Sequence, residues 1–336
     1  MKRTMKDLAE ELGISRTTVS LVLKGKADQY RISMETQKRI LDLVEKEGYK
    51  PNYFAQGLNN GKTMTIGVIF PDVFEEFMVA MIRGIGEVME AEDYTMILMT
   101  SRFSQGREKK NIEELLHRGI DGMLLIPSCD FRGNWEKRIH LSKAQLKMTP
   151  LVQIDRVTDS WQGSSVVQDD RMGGIWAAEY LQQMGCREMA VVSLDLSASS
   201  IRGRITGFAS IIPEYHSILL KEQNRQSDDL NIALEKMLLD APNQTPRGFF
   251  VTTAGLAIRV KEILLDRGLS LNKDYFLVRF GEDPQGYRSG MACIGQPHYE
   301  MGREAARLLV RQIQGGKSER RMILPVSSPQ KSPRMS

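Results

Sequence analysis

Cysteine is scarce, with three among 336 residues: Cys129, Cys186 and Cys293, far apart and without a CxxC pair. An odd, scattered set excludes a disulfide-stapled scaffold and reads as buried thiols in a reducing compartment. No apolar run reaches the roughly 18 residues of a membrane span. Behind Met1-Lys2-Arg3-Thr4-Met5-Lys6-Asp7 there is no apolar core of the kind an export signal needs, so the expected location is the cytoplasm. Histidine is nearly as rare. His117, His140, His216 and His298 show no HExxH or other metal-ligand spacing, and no GxSxG nucleophile elbow occurs. Gly61-Lys62-Thr63 imitates the end of a phosphate-binding loop, but the leading glycine of that loop falls on Gln56. The segment also runs into a strand pattern instead of a helix. Gly84-Ile85-Gly86 lacks a third glycine and lies in a helical pattern. These absences point away from an enzyme, and neither a metal nor a cofactor is expected.

What is present is an uneven charge. The formal net charge is +4, and all of it lies in residues 1–62, which hold 12 Lys and Arg against 8 Asp and Glu. The rest of the chain holds 34 of each. A composition with 41% hydrophobic and 26% charged residues is that of a globular protein. The asymmetry within it suggests a small basic module for an anionic partner, joined to a neutral body.

Residues 1–50 read as three short helices. Thr4 and Asp7 make a capping box before Leu8, Ala9 and Leu12, and Gly13 ends that helix. Ser15 caps a second helix carrying Val19, Val22 and Leu23, which stops near Gly25. Ser33 caps a third, with Ile40, Leu41 and Val44 inward, ending at Gly48. Helix, short turn, helix is the spacing of a helix-turn-helix, although a plain three-helix bundle has the same periodicity. The polar face of the second helix, Ser15, Arg16, Thr17, Thr18 and Ser20, favours the former. Short hydroxyls and an arginine at a helix N-terminus suit phosphate and base-edge contacts in a major groove.

From Thr65 onward apolar strands alternate with helices. Strands are expected at 66–70, 95–99, 122–126, 151–154, 165–167, 189–193, 217–220, 248–251, 275–280 and 291–294, and a helix at 134–146 among others. Fully apolar strands in such alternation mean parallel sheets covered on both faces. Two α/β halves in series, over residues 63–326, leave a cleft between them, and ligands sit at the carboxyl ends of such strands. Nineteen methionines are core filler. The polar tail 327–336, with two prolines, is expected to be disordered and lacks a leucine heptad.

The run Thr4-Met5-Lys6-Asp7-Leu8-Ala9, Gly13-Ile14-Ser15-Arg16-Thr17-Thr18-Val19-Ser20, Gly48-Tyr49-Lys50-Pro51-Asn52, Ala55 and Leu58 resembles the LacI/GalR family of bacterial transcriptional regulators. The likeness continues through Thr65-Ile66-Gly67-Val68-Ile69, Val152-Gln153-Ile154-Asp155-Arg156, Arg204-Ile205-Thr206-Gly207-Phe208, Thr252-Thr253 and Gln296, and so spans nearly the whole chain. The insertion Gly25–Ser33 is longer than in the lactose repressor and is similar to the fructose- and sucrose-repressor branch. The implied fold is a small all-α helix-turn-helix head plus an α/β periplasmic-binding-protein-like body of two doubly wound parallel-sheet subdomains. The implied organisation is a head at 1–50, a hinge helix and linker at 51–62, and an effector-binding and dimerisation domain at 63–326.

The resemblance implies a homodimer on a pseudo-palindromic operator, repressing transcription under control of a sugar or sugar phosphate, with no membrane role. By position, Arg16, Thr17 and Leu21 read bases, and arginine on guanine is chemically apt. Lys6, Lys24 and Lys26 are phosphate contacts or, equally, solvated surface. Tyr30 and Asn52 join the DNA-facing set. Ala55 and Leu58 fall in the hinge helix, with Leu58 at the minor-groove wedge position or simply buried. Pro51 presets that helix, and Gly57 lowers its propensity by roughly 1 kcal/mol relative to alanine. For the effector, the resemblance points to Asp72, Arg102, Asp155, Arg204, Thr253, Glu282, Asp283 and Gln296. Carboxylates, an amide and an arginine satisfy sugar hydroxyls, and the arginine could also grip a phosphate. Asp155-Arg156 could instead be a salt bridge between the halves, and Glu282-Asp283 a solvated loop. The family's aspartate pair appears here as Glu282-Asp283, and the proline before the short crossing strand is missing. A solute receptor of the same body fold is the alternative, opposed by the basic head.

Overall fold

The computed structural model describes residues 3–49, 62–71, 76–128, 149–158, 161–194, 198–220, 228–239, 246–281, 290–316 and 321–330. Contacts divide the chain into two units, Met1–Thr63 and Met64–Ser336. The helix expected at 134–146 and the hinge helix after Pro51 lie outside the described residues.

In the first unit, helices α1 (Met5–Leu12), α2 (Arg16–Leu23) and α3 (Met34–Lys46) form where the caps place them. The Asp7 amide donates to Thr4 Oγ1, and the Thr4 amide donates to the Asp7 carboxylate, so each satisfies an orphan N–H of the other. Gly13, at φ 67°, closes α1 in the left-handed region that a side chain would oppose. Leu8, Ala9, Val19, Val22, Ile40 and Leu43 make the core. Leu41, expected inward, is 49% exposed, because Ile40, Leu43 and Val44 at i, i+3 and i+4 already complete the buried stripe. The insertion between α2 and α3 is folded. It makes a 3₁₀ turn at Asp28–Tyr30, buries Ala27, and is pinned by Gln37 Nε2 donating to Asp28 Oδ1 at 3.0 Å and to the Ile32 carbonyl at 2.9 Å.

The second unit holds two six-stranded sheets. The N-lobe sheet runs β11-β5-β4-β3-β1-β2, all parallel, from β1 (Thr65–Phe70), β2 (Thr95–Thr100), β3 (Gly122–Leu125), β4 (Leu151–Ile154), β5 (Ser164–Gln168) and β11 (Met322–Leu324). The C-lobe sheet runs β12-β10-β9-β8-β6-β7, from β6 (Met189–Leu194), β7 (His216–Leu220), β8 (Arg247–Val251), β9 (Tyr275–Phe280), β10 (Ala292–Gly295) and β12 (Ser327–Gln330). Among the described residues, only β12 pairs antiparallel there, on β10. Helices α4 (Glu76–Ala91) and α10 (His298–Ile313) cover one face of the N-lobe sheet, and α5 (Gln105–His117) the other. In the C-lobe, α6 (Asp170–Gln183) and α7 (Ser199–Ala209) cover one face, α8 (Asp229–Leu239) and α9 (Ala254–Asp266) the other. Burial from both sides is why the inner strands β1, β3, β8 and β9 are largely apolar.

Two expectations need correction. The tail is not disordered from 327: Ser327–Gln330 forms β12, a polar strand with a proline, which an edge position tolerates. The halves are also not in series. The chain crosses between lobes after β5, after β10 and between β11 and β12, so α10 returns to the N-lobe and β12 to the C-lobe. Alternation along a sequence does not say which sheet an element joins.

Each lobe also has one helix pair in backbone contact. A Cβ on Gly84 of α4 would lie 2.1 Å from the Tyr299 carbonyl oxygen of α10, and one on Gly302 2.2 Å from the Met81 carbonyl oxygen. Gly174 of α6 and Gly207 of α7 repeat the arrangement at 2.0 Å against Arg204 and Arg171 carbonyls. Among the described residues no helix is long and apolar enough to cross a membrane.

Candidate functional site

The head presents α2 with one buried and one open face. Arg16 and Thr17 stand exposed in the first turn, Ser20 and Leu21 half-buried one turn on, and Lys24 exposed at the C-cap. These positions share a face at i, i+1, i+4, i+5 and i+8, opposite Val19 and Val22. Ser15 and Thr18 are engaged otherwise. The Thr18 amide donates to Ser15 Oγ at 3.0 Å, and the two hydroxyls bond at 2.8 Å, so both build the helix start. Lys6 pairs across 3.6 Å with Glu10 on α1, both well exposed, and Lys26 is exposed. Tyr30 projects from the 3₁₀ turn at 61% exposure. Asn52, Ala55 and Leu58 lie outside the described residues.

In the body, the carboxyl ends of the strands carry unusual backbone and buried polar groups. Arg102 (φ 48°) and Phe103 (φ 57°) follow β2, and Asp155 (φ 65°) follows β4. Left-handed conformation at non-glycine residues concentrates at functional sites. Beside them, buried Glu108 accepts the Ser128 amide at 2.5 Å, Ser128 Oγ donates to Ser101 Oγ at 2.6 Å, and Ser101 Oγ donates to the Phe70 carbonyl at 3.3 Å. Asp155 is buried and receives Arg156 Nε at 3.1 Å. The lobes themselves are joined next door, where the Val157 amide donates to Ser199 Oγ at 2.9 Å.

Across the cleft Arg204 is buried on α7. Its Nε donates to Asp170 Oδ1 at 2.9 Å and its Nη1 to the Thr252 carbonyl at 2.7 Å, while its guanidinium lies 4.0 Å from the Phe280 ring centroid. Thr252, buried, also shares a 2.7 Å hydroxyl bond with Ser193. Thr253, the residue singled out from the sequence, instead occupies the N-cap of α9. Gln296 lies half-buried on the second crossing, beside Gly281. Arg102 is exposed at the N-lobe rim. Asp72, Glu282 and Asp283 fall outside the described residues.

Sequence reasoning missed Asp170, Gln168 and His298. Burial pushes the Asp170 carboxyl up to about 6 against the pull of Arg204, and Asp155 adds to the rise. Burial holds His298 down to about 4, so it is neutral at physiological pH despite Asp155. A signal for Asp170 existed: of Asp169-Asp170 only one can cap α6, and Asp169 does so by accepting the Met172 amide at 2.9 Å. Elsewhere, burial alone pushes the Cys186 thiol up to about 12, which leaves it inert.

Comparison with known proteins agrees with both units. A model described as bacterial regulatory proteins, lacI family, matches residues 4–52, and a periplasmic binding protein-like domain matches 178–336. Catabolite control protein A of Priestia megaterium is 28% identical over 319 residues, 93% of this chain and 92% of that protein. The lac repressor dimer bound to operator and the anti-inducer ONPF superposes with a TM-score of 0.83 at 18% identity, covering 100% of each chain. The transcriptional regulator CelR–cellobiose complex gives a TM-score of 0.69 at 22% identity, over 98% of this chain and 99% of that one. The names of these relatives are those of regulators, and they do not support the fructose–sucrose branch. With a helix-turn-helix head, a two-lobed body and relatives along almost its full length, the chain is similar throughout to bacterial regulatory proteins of the LacI family, whose model its head matches.

Proposed function

We propose that the protein is a cytoplasmic homodimer that binds an operator through Arg16 and Thr17 and represses transcription until a small carbohydrate enters the cleft between its lobes. The observation that carries the effector half is the hinge chemistry. Gln168, Asp170 and His298 lie where the chain crosses between lobes, with Asp155 and Arg204 near enough to act on their charge and the interlobe Val157–Ser199 bond beside Asp155. A ligand bonding to these groups acts on the joint itself, and a few kcal/mol of differential binding suffices to shift it. That a lac repressor is captured on operator as a dimer, and CelR with cellobiose, supports the same reading here. Asp72, Arg102, Thr253, Glu282, Asp283 and Gln296 complete the proposed effector set, with Lys6, Ser20, Leu21, Lys24, Lys26, Tyr30, Asn52, Ala55 and Leu58 on the DNA side. The fructose–sucrose likeness rests on the Gly25–Ser33 insertion and on Thr252-Thr253, and the relatives do not support it.

Exposure supports one choice of dimer face. Leu98 on β2 and Leu219 on β7 are 44% and 50% exposed, each on the sheet edge remote from the crossings, with Val79 of α4 and Ile258 of α9 also open. Open apolar edge strands mark a partner surface. The decisive experiment is thermal unfolding of the purified protein with a panel of sugars, repeated with operator DNA. A sugar that raises the midpoint and changes operator affinity is the expected result; no sugar doing both would end the effector reading.

A further inference from the structure

The two effector classes left open, free sugars and sugar phosphates, make opposite demands on the cleft. A phosphate needs free donors. A polyol brings donors of its own and needs acceptors.

Asp155, Gln168, Asp169, Asp170, Arg171 and Ser199 help to line an interlobe cavity of about 240 Å³. Three of these six are carboxylates; Arg171 and a further lining residue, Arg321, bring cations, but both side chains are exposed to water. The cation buried deepest beside them, Arg204, is already committed, with Nε on Asp170, Nη1 on the Thr252 carbonyl and its face on Phe280. A side-on bidentate grip on phosphate uses Nε, and Asp170 holds that donor. Gln168 gives the second, independent sign. It is 3% exposed, and its Nε2 donates to Asp170 Oδ1 at 2.9 Å, which fixes the amide orientation and turns Oε1 the other way. That Oε1 is buried without a hydrogen-bond partner. A buried carbonyl oxygen left unsatisfied is destabilising, and in a ligand cleft it asks for a donor. A hydroxyl supplies one, and a phosphate dianion cannot.

We propose that the cleft takes an uncharged polyol through its hydroxyl donors, and that Asp170 is the specificity-determining residue that excludes anionic ligands, sugar phosphates among them. The proposal rests on the cleft being the effector site and adds to it the chemical class. Asp170 acts twice: it neutralises Arg204 and places its own charge where a phosphate would lie, where like charges meeting without water are strongly unfavourable. Replacing it with asparagine keeps the shape and frees a guanidinium.

The test uses the purified full chain and two sets of probes. In the first, inorganic phosphate is titrated at constant ionic strength against wild type, Asp170→Asn and the double variant Asp170→Asn/Arg204→Gln, with thermal midpoint as readout. Saturable stabilisation of the single variant is expected, with an affinity about tenfold or more above wild type, and its loss in the double variant. Equal response of wild type and Asp170→Asn overturns the proposal. In the second, each of several neutral sugars is compared with its own phosphate ester on wild type, a measurement that stands even if Asp170→Asn fails to fold. A sugar phosphate binding more tightly than its parent overturns the proposal; the reverse order supports it. If no sugar of either kind binds, the effector reading of the cleft falls, while the phosphate titration still reports whether Asp170 excludes anions.

Discussion

At the scale of single residues, the head separates side chains that build from side chains that reach. Arg16 and Thr17 are exposed, whereas Ser15 and Thr18 spend their hydroxyls on the start of α2. Arg16→Ala should therefore weaken specific operator binding by roughly 1–3 kcal/mol and relax preference at one base position. Fluorescence anisotropy on the operator and its single-base variants reads both, and wild-type affinity would remove Arg16 from the interface. Ser15→Ala should behave differently. It loses a cap worth about 1 kcal/mol, so the thermal midpoint of the head falls while the ranking of operator variants stays the same. A changed ranking would make Ser15 a base contact after all. The cleft gives the same lesson with higher stakes: Arg204→Ala strands a buried carboxylate on Asp170, so its effects mix lost ligand contact with lost stability.

At the scale of elements, two groups at the crossings are shifted in opposite senses. Asp170 sits at the head of α6 and His298 at the head of α10. Asp170 is raised from 3.8 to about 6, so its stabilising share is full below pH 4 and is lost as pH rises through 6. His298 is lowered from 6.5 to about 4, so its share is full above pH 6.5 and is lost as pH falls through 4. Over pH 4–6 the two slopes oppose. The midpoint of Asp170→Asn minus that of wild type should climb with pH across this window, and that of His298→Met minus wild type should descend; flat differences would contradict the assignment. The crossing glycines make a steric prediction: alanine at Gly84 or Gly207 drives a Cβ into a facing carbonyl and should destabilise by about 1–3 kcal/mol, read by denaturant unfolding. Most elements were legible because their signals are local: caps at Thr4, Ser15 and Ser33, and apolar runs such as Ile66–Phe70. What stayed hidden was set by partners. Met322–Leu324 is too short to declare itself, and Ser327–Gln330 is a strand only because β10 offers it an edge. Gln168 and Asp170 on the first crossing and His298 on the second gain their meaning from the crossings themselves, which no local signal announces.

At the scale of the whole molecule, regulation needs two couplings: head to head through a dimer, and cleft to head through the lobes. The charge distribution argues for the first. An excess of four positive charges in residues 1–62 is modest, so two heads acting together must supply what one cannot. The sheets supply a place for that pairing, since both leave an apolar strand open at the edge opposite the crossings, β2 with Leu98 and β7 with Leu219. On the proposed reading, movement at the crossings would shift one lobe against the other and so carry a cleft ligand's effect to the pairing of the heads. A charge placed on the edge should break the chain of effects at its middle. Leu98→Glu combined with Leu219→Glu should sediment as a monomer, unfold as a folded protein of ordinary cooperativity, and still respond thermally to any sugar that stabilises wild type. Its operator affinity should fall by about 100-fold or more, because each head then binds alone. A variant that stays dimeric would place the interface elsewhere; a monomer with undiminished operator affinity would show that pairing is not what makes the heads bind.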